Sequence, residues 1–328
     1  MKHQLHPARR RLLMGAAATC ALSLPALVRA SSNTLVGAGA SLPTKLYESW
    51  GQRFTEVTNV AFGYAAVGSG QGWRLMVEGA ANFGTTEIPY DSVTLEQYRL
   101  IQFPVANAAI VLVANLPGLH SVQLRLTPSL VSRIFTGQTR YWRDPAILAL
   151  NPHIEIPDLS ITPISRVGRS GTTFALSRYL TARDDDWRQR IGVTAQASWN
   201  YGLLAIGTSA LEAVATRTLG AIGYLVAGRR LPLELSLISL GNGESGFLKA
   251  PSKAEEIDSW PLLTPTFALL HQTPRNTLDK AAVDYLRSGI TVWGDLTIQS
   301  GLLPLGPEQQ QSVWASWQRY GLIHGKPA

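Results

Sequence analysis

Residues 34–54 read TLVGAGASLPTKLYESWGQRF, and the change of pattern inside this stretch decides the fold class. Thr34-Leu35-Val36 is an apolar run of strand length. Gly37-Ala38-Gly39-Ala40-Ser41 closes it with small residues. From Pro43 to Phe54 the spacing becomes helical, because Leu46, Trp50 and Phe54 recur four residues apart and so share one helix face. Strand, glycine turn and helix in that order are the building unit of an α/β protein.

The same order continues outward. Val60-Ala61-Phe62-Gly63-Tyr64 is the next expected strand, then Gly68-Ser69-Gly70 and a helix marked by Trp73, Met76, Val77 and Ala80. Phe103-Pro104-Val105 and Ile110-Val111-Leu112-Val113 are two expected strands without polar alternation, the character of a sheet covered on both faces. The middle of the chain, 115–262, is richer in loops. There Thr127-Pro128 and Asp144-Pro145 open short helices with Pro at the first position. Ile161–Ser165 and Gly220–Tyr224 are expected strands, and Thr172–Leu180 an expected helix. The chain returns to a strand at Thr266–His271, a helix bearing Leu278, Ala282, Tyr285 and Leu286, and a last helix from Pro307.

The chain has 328 residues, of which 45% are hydrophobic. That is long enough for two cores rather than one. The formal charge is +7, which suggests nucleic acid until its position is examined. Residues 1–30 hold Lys2, Arg9, Arg10, Arg11 and Arg29 and no acid; without them 24 basic residues face 22 acidic ones. A near-neutral remainder has no electrostatic footprint for DNA or RNA. The same 30 residues read as a secretory signal: a basic start, an apolar run Leu12–Val28, and Val28-Arg29-Ala30 as the cleavage pattern. Arg9-Arg10-Arg11-Leu12-Leu13 also resembles a twin-arginine signal, so both export routes stay open. Cys20, the only cysteine, falls inside this leader. Cleavage after Ala30 leaves a chain without disulfides, and no later stretch is long and apolar enough for a membrane helix.

Four segments share one composition, small or hydroxyl residues beside glycine between a strand and a helix. They are Gly37–Leu42, Val67–Gly70, Gly84-Thr85-Thr86-Glu87 and Arg166–Thr173. Glycine lets a backbone approach a ligand closely. Helix N-termini offer unpaired N–H groups and partial positive charge, which suits a small oxyanion. Arg166 adds a forked, permanently charged donor. Taken singly, Ser41 and Thr172 read as plain caps, Ser69 as a turn, Arg166 as a surface arginine and Glu87 as a first-turn acid. Four unrelated occurrences explain the combination less well than one shared anion.

Catalytic motifs are absent. The chain contains no Gly-x-Ser-x-Gly elbow, no Gly-x4-Gly-Lys-Ser/Thr loop and no His-Glu-x-x-His site. His120, His153, His271 and His324 lie on different elements, without metal spacing. Asp184-Asp185-Asp186 reads as a solvated helix face, since adjacent carboxylates on a helix do not converge.

These loops, in this order, resemble the periplasmic phosphate-binding protein family of bacterial phosphate ABC transporters. The resemblance covers Gly37–Tyr47, Phe83-Gly84, Gln102–Val105, Leu126–Trp142, Asp144–Asn151, Ile161–Leu180, Gly220–Tyr224 and Trp260–His271. It implies an α/β, two-lobed periplasmic binding protein (type II-like, Venus-flytrap) with hinge crossover strands. Lobe I would comprise 31–110 plus 263–328, and lobe II 111–262. Inorganic phosphate would bind between the lobes and pass to the transmembrane subunits of an ABC permease. The protein would be periplasmic and monomeric, with no cofactor, no metal, no nucleic-acid partner and no catalysis.

Carried over by the same resemblance, phosphate would be held by Ser41 and the N–H of Leu42, by Ser69, by Arg166, and by Ser170, Gly171 and Thr172. Glu87 would accept the proton that phosphate carries and sulfate lacks. Two positions depart from the family. Glu87 stands where an aspartate is usual and is one C–C bond, about 1.5 Å, longer. Gly168-Arg169 replaces the aspartate that normally pairs with the arginine, which predicts weaker steering of Arg166 and more tolerance for doubly charged anions. Another tetrahedral oxyanion, a phosphate sensor without a permease, and a secreted adhesive protein are the alternative readings. A phosphoester hydrolase is the remotest, for want of a nucleophile–base pair.

Overall fold

A computed structural model describes residues 33–199, 201–228, 231–241, 246–252 and 260–324. The expected leader, with its arginines, Cys20 and the cleavage point at Ala30, lies outside the described residues. The opening stretch forms strand β1 (Thr34–Gly39) and helix α1 (Thr44–Thr58). Strand β2 (Ala61–Ala65), helix α2 (Ser69–Val77) and strand β3 (Phe83–Thr86) follow. β1 lies between β2 and β3 and runs parallel to both. Leu46, Trp50 and Phe54 are buried, so the apolar spacing read from α1 is the face it packs inward. Its Trp50 and Phe54 rings meet Tyr285 edge-on, the geometry aromatic quadrupoles favour.

After helix α3 (Ser92–Gln97), strand β4 runs without a break from Leu100 to Asn115. The two strands expected at Phe103–Val105 and Ile110–Val113 are therefore one. The error has a physical cause: Asn107 interrupts the apolar run and reads as punctuation, yet in the ladder it faces β11 (Leu263–His271). Sixteen residues span about 50 Å, far beyond an ordinary strand. β4 changes partner along its length. Residues 100–109 pair antiparallel with β11, and residues 110–114 pair antiparallel with β8 (Ala221–Val226). One strand thus belongs to two regions of sheet, and β11 brings the chain back beside it.

The second region holds β5 (Leu124–Leu126), α4 (Pro128–Phe135), α5 (Pro145–Leu150), β6 (Thr162–Arg166), α6 (Gly171–Arg183) and α7 (Asp185–Arg190). It continues with β7 (Leu203–Ala205) and α8 (Gly207–Arg217) before β8, and with β9 (Leu235–Gly241) and β10 (Phe247–Leu248) after it. The sheet order is β2-β1-β3-β11-β4-β8-β6-β7. Thr127 and Asp144 cap α4 and α5 through their side chains, each with Pro inside the first turn, as their sequences predict. The acidic triplet divides its labour. Asp184 is buried and caps α7, while Asp185 and Asp186 are exposed and pair with Arg188 and Arg190. Helix α9 (Thr277–Thr291) packs against the first region. There buried Asp279 accepts from Arg275 Nε at 2.6 Å and Asn82 Nδ2 at 2.9 Å.

Among the described residues, no helix is long and apolar enough to cross a membrane. No cluster of three metal-ligating side chains forms among them either.

Candidate functional site

The strands deliver the four glycine-rich segments to one place. Ser41 and Leu42 follow β1, Glu87 follows β3, Arg166 ends β6, and Ser69 opens α2. Ser170, Gly171 and Thr172 open α6. All eight residues named from the sequence line a single polar cavity of about 180 Å³, together with Gly68. The N-termini of α2 and α6 both open onto it. Each leaves its first-turn N–H groups without intrahelical partners and carries roughly half a positive charge. The bland reading of Ser41 as a cap does not hold, because the position before α1 is Pro43.

Arg166 is the centre of the arrangement. Only 6% of it is exposed. Its Nη1 donates to Thr208 Oγ1 at 3.1 Å and its Nη2 to Ser41 Oγ at 3.2 Å. Those two hydroxyls also meet each other at 3.2 Å, which closes a triangle around the guanidinium. Nε has no partner. Arg166 makes no ion pair among the described residues, and burial lowers its proton affinity. A buried cation held only by neutral hydroxyls is costly, and an incoming anion relieves that cost. Thr208 was missed at the sequence level. The signal was present: Ile206-Gly207-Thr208 leads from β7 into the first turn of α8 and sets a glycine beside a hydroxyl, as the other four segments do.

Glu87 is 2% exposed. Ser69 Oγ donates to its Oε2 at 3.2 Å, and Thr266 Oγ1 to its Oε1 at 3.4 Å. Burial pushes the carboxyl up to about 7, against the lowering effects of Ser69 and of the Arg166 charge. A Cβ on Gly171 would overlap the Glu87 carboxylate, so the α6 N-terminus offers glycine where Glu87 lies against it. The Ser69–Glu87 contact also corrects one expectation. A hydroxyl and a carboxylate base are within hydrogen-bond reach, although no sequence motif announced them.

Ser170 Oγ and Thr172 Oγ1 lie 3.0 Å apart at the start of α6, both buried. Behind them Tyr224 OH receives the backbone N–H of Arg166 at 3.0 Å and meets Thr173 Oγ1 at 2.7 Å. Tyr64 OH ties Ala40 O to Thr85 Oγ1 on the opposite side. The loops are thus held by buried hydroxyls on both sides of the cavity, as a preorganised site requires.

The PBP superfamily domain matches residues 25–286 of the chain. The phosphate-binding protein PstS of Haemophilus influenzae is 30% identical over 321 residues, covering 90% of this chain and 96% of that protein. PstS of Pasteurella multocida is 28% identical, covering 88% and 90%. Among solved structures, a high-affinity periplasmic phosphate-binding protein (PfluDING) bound with phosphate superposes with a TM-score of 0.72. It is 16% identical, covering 86% of this chain and 93% of that one. A putative phosphate ABC transporter substrate-binding protein from Clostridium perfringens, with bound phosphate, gives 0.64 at 18% identity, covering 84% and 100%.

Proposed function

This chain belongs to the PBP superfamily and, within it, to the family of the phosphate-binding protein PstS, and on that premise we propose that it binds inorganic phosphate in the cavity around Arg166 and delivers it to an ABC importer. The observation that carries the reading is the Arg166 guanidinium. It is buried, held by hydroxyls alone, and faces helix N-termini. Only an anion completes such a site, and the donor set suits a small tetrahedral one.

Ser41, Ser69, Ser170 and Thr172 supply hydroxyl donors. Leu42 and Gly171 supply backbone N–H groups, and Arg166 supplies the charge. Glu87 takes the proton of the bound phosphate. Sulfate has no such proton and meets lone pairs on lone pairs when Glu87 is ionised. Ser69 then positions Glu87 rather than attacking the ligand. Two lobes carry the donors, 31–110 with 263–328 and 111–262. The change of partner on β4 near residue 110 supports that division. Closure of the lobes about their crossover strands traps the ligand. The chain is exported, cleaved near Ala30 and active as a periplasmic monomer.

Calorimetric titration with phosphate, sulfate and arsenate tests the reading. Arg166→Ala and Ser170→Ala should each weaken phosphate binding more than about tenfold, as loss of a charge-assisted hydrogen bond does. A loss below about twofold in both variants refutes the site. Turnover of a chromogenic phosphoester by the pure protein would revive the hydrolase reading.

A further inference from the structure

The site around Arg166 does not end at the small cavity. A second space, open to solvent, adjoins it. Ser41, Gly68 and Arg166 line both spaces, so the two meet at these residues. The outer space is lined by two arginines, Arg166 and Arg169, and by no aspartate or glutamate.

An opening of this kind could be the gap between lobes that have not yet met. The contacts say otherwise. Ser41, after β1, already bonds Arg166 and Thr208 of the second region at 3.2 Å. Glu87, after β3, already lies against Gly171 at the head of α6. Arg169 lies over Gly70, with its Cβ and Cδ 3.4 and 3.5 Å from where a Gly70 side chain would begin. The two sides of the cleft touch at the inner cavity and at its rim, and the outer space remains beside them.

Its chemistry is equally plain. Arg169 is exposed and makes no ion pair among the described residues. Gly168 before it holds φ at +67° with nothing within 4 Å of a would-be side chain, a conformation that favours glycine. That turn separates Arg169 from Arg166 and sets it on the wall of the outer space. Exposed Val67, Val167 and Ile206 supply apolar surface there.

We propose that the cleft also accepts a phosphoryl or phosphonyl group bearing a short anionic substituent, with the tetrahedral end in the inner cavity and the substituent in the outer space against Arg169. The ligand class is a small phosphate monoester or phosphonate with a second negative charge. Such a ligand neutralises both arginines, whereas inorganic phosphate reaches only Arg166. The proposal rests on the phosphate-binding reading for its inner half.

Two probes, inorganic phosphate and phosphonoacetate, distinguish failure of either half. Each is titrated calorimetrically into the wild-type protein and the Arg169→Gln variant. Arg169 is exposed, so the variant should fold. The expected result is that both probes bind the wild type. Arg169→Gln should then weaken phosphonoacetate about tenfold, as loss of one charge-assisted contact does, and leave phosphate within about twofold. If phosphate binds and phosphonoacetate does not, the outer space is no ligand site and the inference falls alone. If Arg169→Gln leaves phosphonoacetate unchanged, Arg169 does not recognise the substituent and the inference falls as well. If neither probe binds, both readings fall.

Discussion

Changing the pH should change which anions this cavity accepts, because its single buried acid titrates near neutrality. Glu87 is moved by burial from 4.5 to about 7. Below that value its carboxyl is a hydrogen-bond donor, and above it only an acceptor. The groups that face it do not titrate in this window. Arg166 stays charged. The hydroxyls of Tyr47 on α1 and Tyr64 on β2 are pushed further up by burial and by the Glu87 charge itself, so they stay neutral. Sulfate carries no proton and binds well only when Glu87 does. With a midpoint of about 7, roughly nine-tenths of Glu87 is protonated at pH 6 and roughly one-tenth at pH 8. Sulfate affinity should therefore fall about tenfold between those values. Phosphate brings its own proton and should change by less. Titrations with both anions at pH 6, 7 and 8 measure the difference. Glu87→Gln makes the donor permanent, so its sulfate affinity should be flat with pH and no weaker than wild type at pH 6. A wild-type sulfate affinity that does not move, or a slope that survives in Glu87→Gln, refutes the reasoning. Stability without ligand gives an independent sign. The folded carboxyl keeps its proton to higher pH than the unfolded one, so its contribution is complete below about 4.5 and is lost as pH rises through about 7. The gap between 4.5 and about 7 corresponds to roughly 3 kcal/mol, and urea unfolding of Glu87→Gln should lack that decline.

Thr208→Val removes the hydroxyl that joins Arg166 to Ser41. Phosphate affinity should drop about three- to tenfold, the range of a neutral hydrogen bond, and Thr208→Ser should restore it in the same titration. Asp279→Asn removes the charge of a buried carboxylate whose partner Arg275 is exposed. Urea unfolding should register a loss of roughly 1–3 kcal/mol with phosphate affinity unchanged. The Asp279 carboxyl is held below the usual range, with burial opposing its hydrogen bonds from Arg275 and Asn82. Its stabilisation is present above the unfolded value of 3.8 and is lost as pH falls through the lower folded value.

Most of the first region was legible in the sequence because each element there obeys a single period. Leu46, Trp50 and Phe54 announce α1, and glycines mark the turns that follow. β4 was misread because a strand that changes partner mid-way has no signature of its own. The pairing of residues 100–109 with β11 joins positions about 160 apart in the chain, which no local pattern records. The four segments that carry the eight cavity residues were legible for another reason, and the family resemblance then named the eight within them. Glycine and hydroxyl residues between a strand and a helix N-terminus have few uses, and several such segments in one α/β chain can converge at the strand ends. Thr208 carried the same signature and was overlooked because β7 is three residues long, too short to show as a strand. The Asp279–Arg275–Asn82 cluster left no trace, since Asp279 near the start of α9 spells the same letters whether its carboxylate is buried or solvated, and Asn82 is distant in the chain.

Glu87 and Gly168-Arg169, the two positions where the family resemblance implies a departure, bear on one quantity, the charge the cavity presents to its ligand. With no carboxylate beside it, Arg166 is balanced by hydroxyls that carry no charge. The cavity's acid, Glu87, lies against the α6 N-terminus at Gly171, where a Cβ would meet both its Cβ and its carboxylate. When Glu87 is protonated, the inner cavity presents the Arg166 charge together with the partial charges of two helix N-termini. When it ionises, one negative charge offsets them. Selectivity in such a site cannot come from Arg166, whose charge attracts every oxyanion alike. On the proposed reading it resides in the single proton that Glu87 either holds or lacks, and the carboxyl whose charge opposes an anion is then the group that chooses among anions.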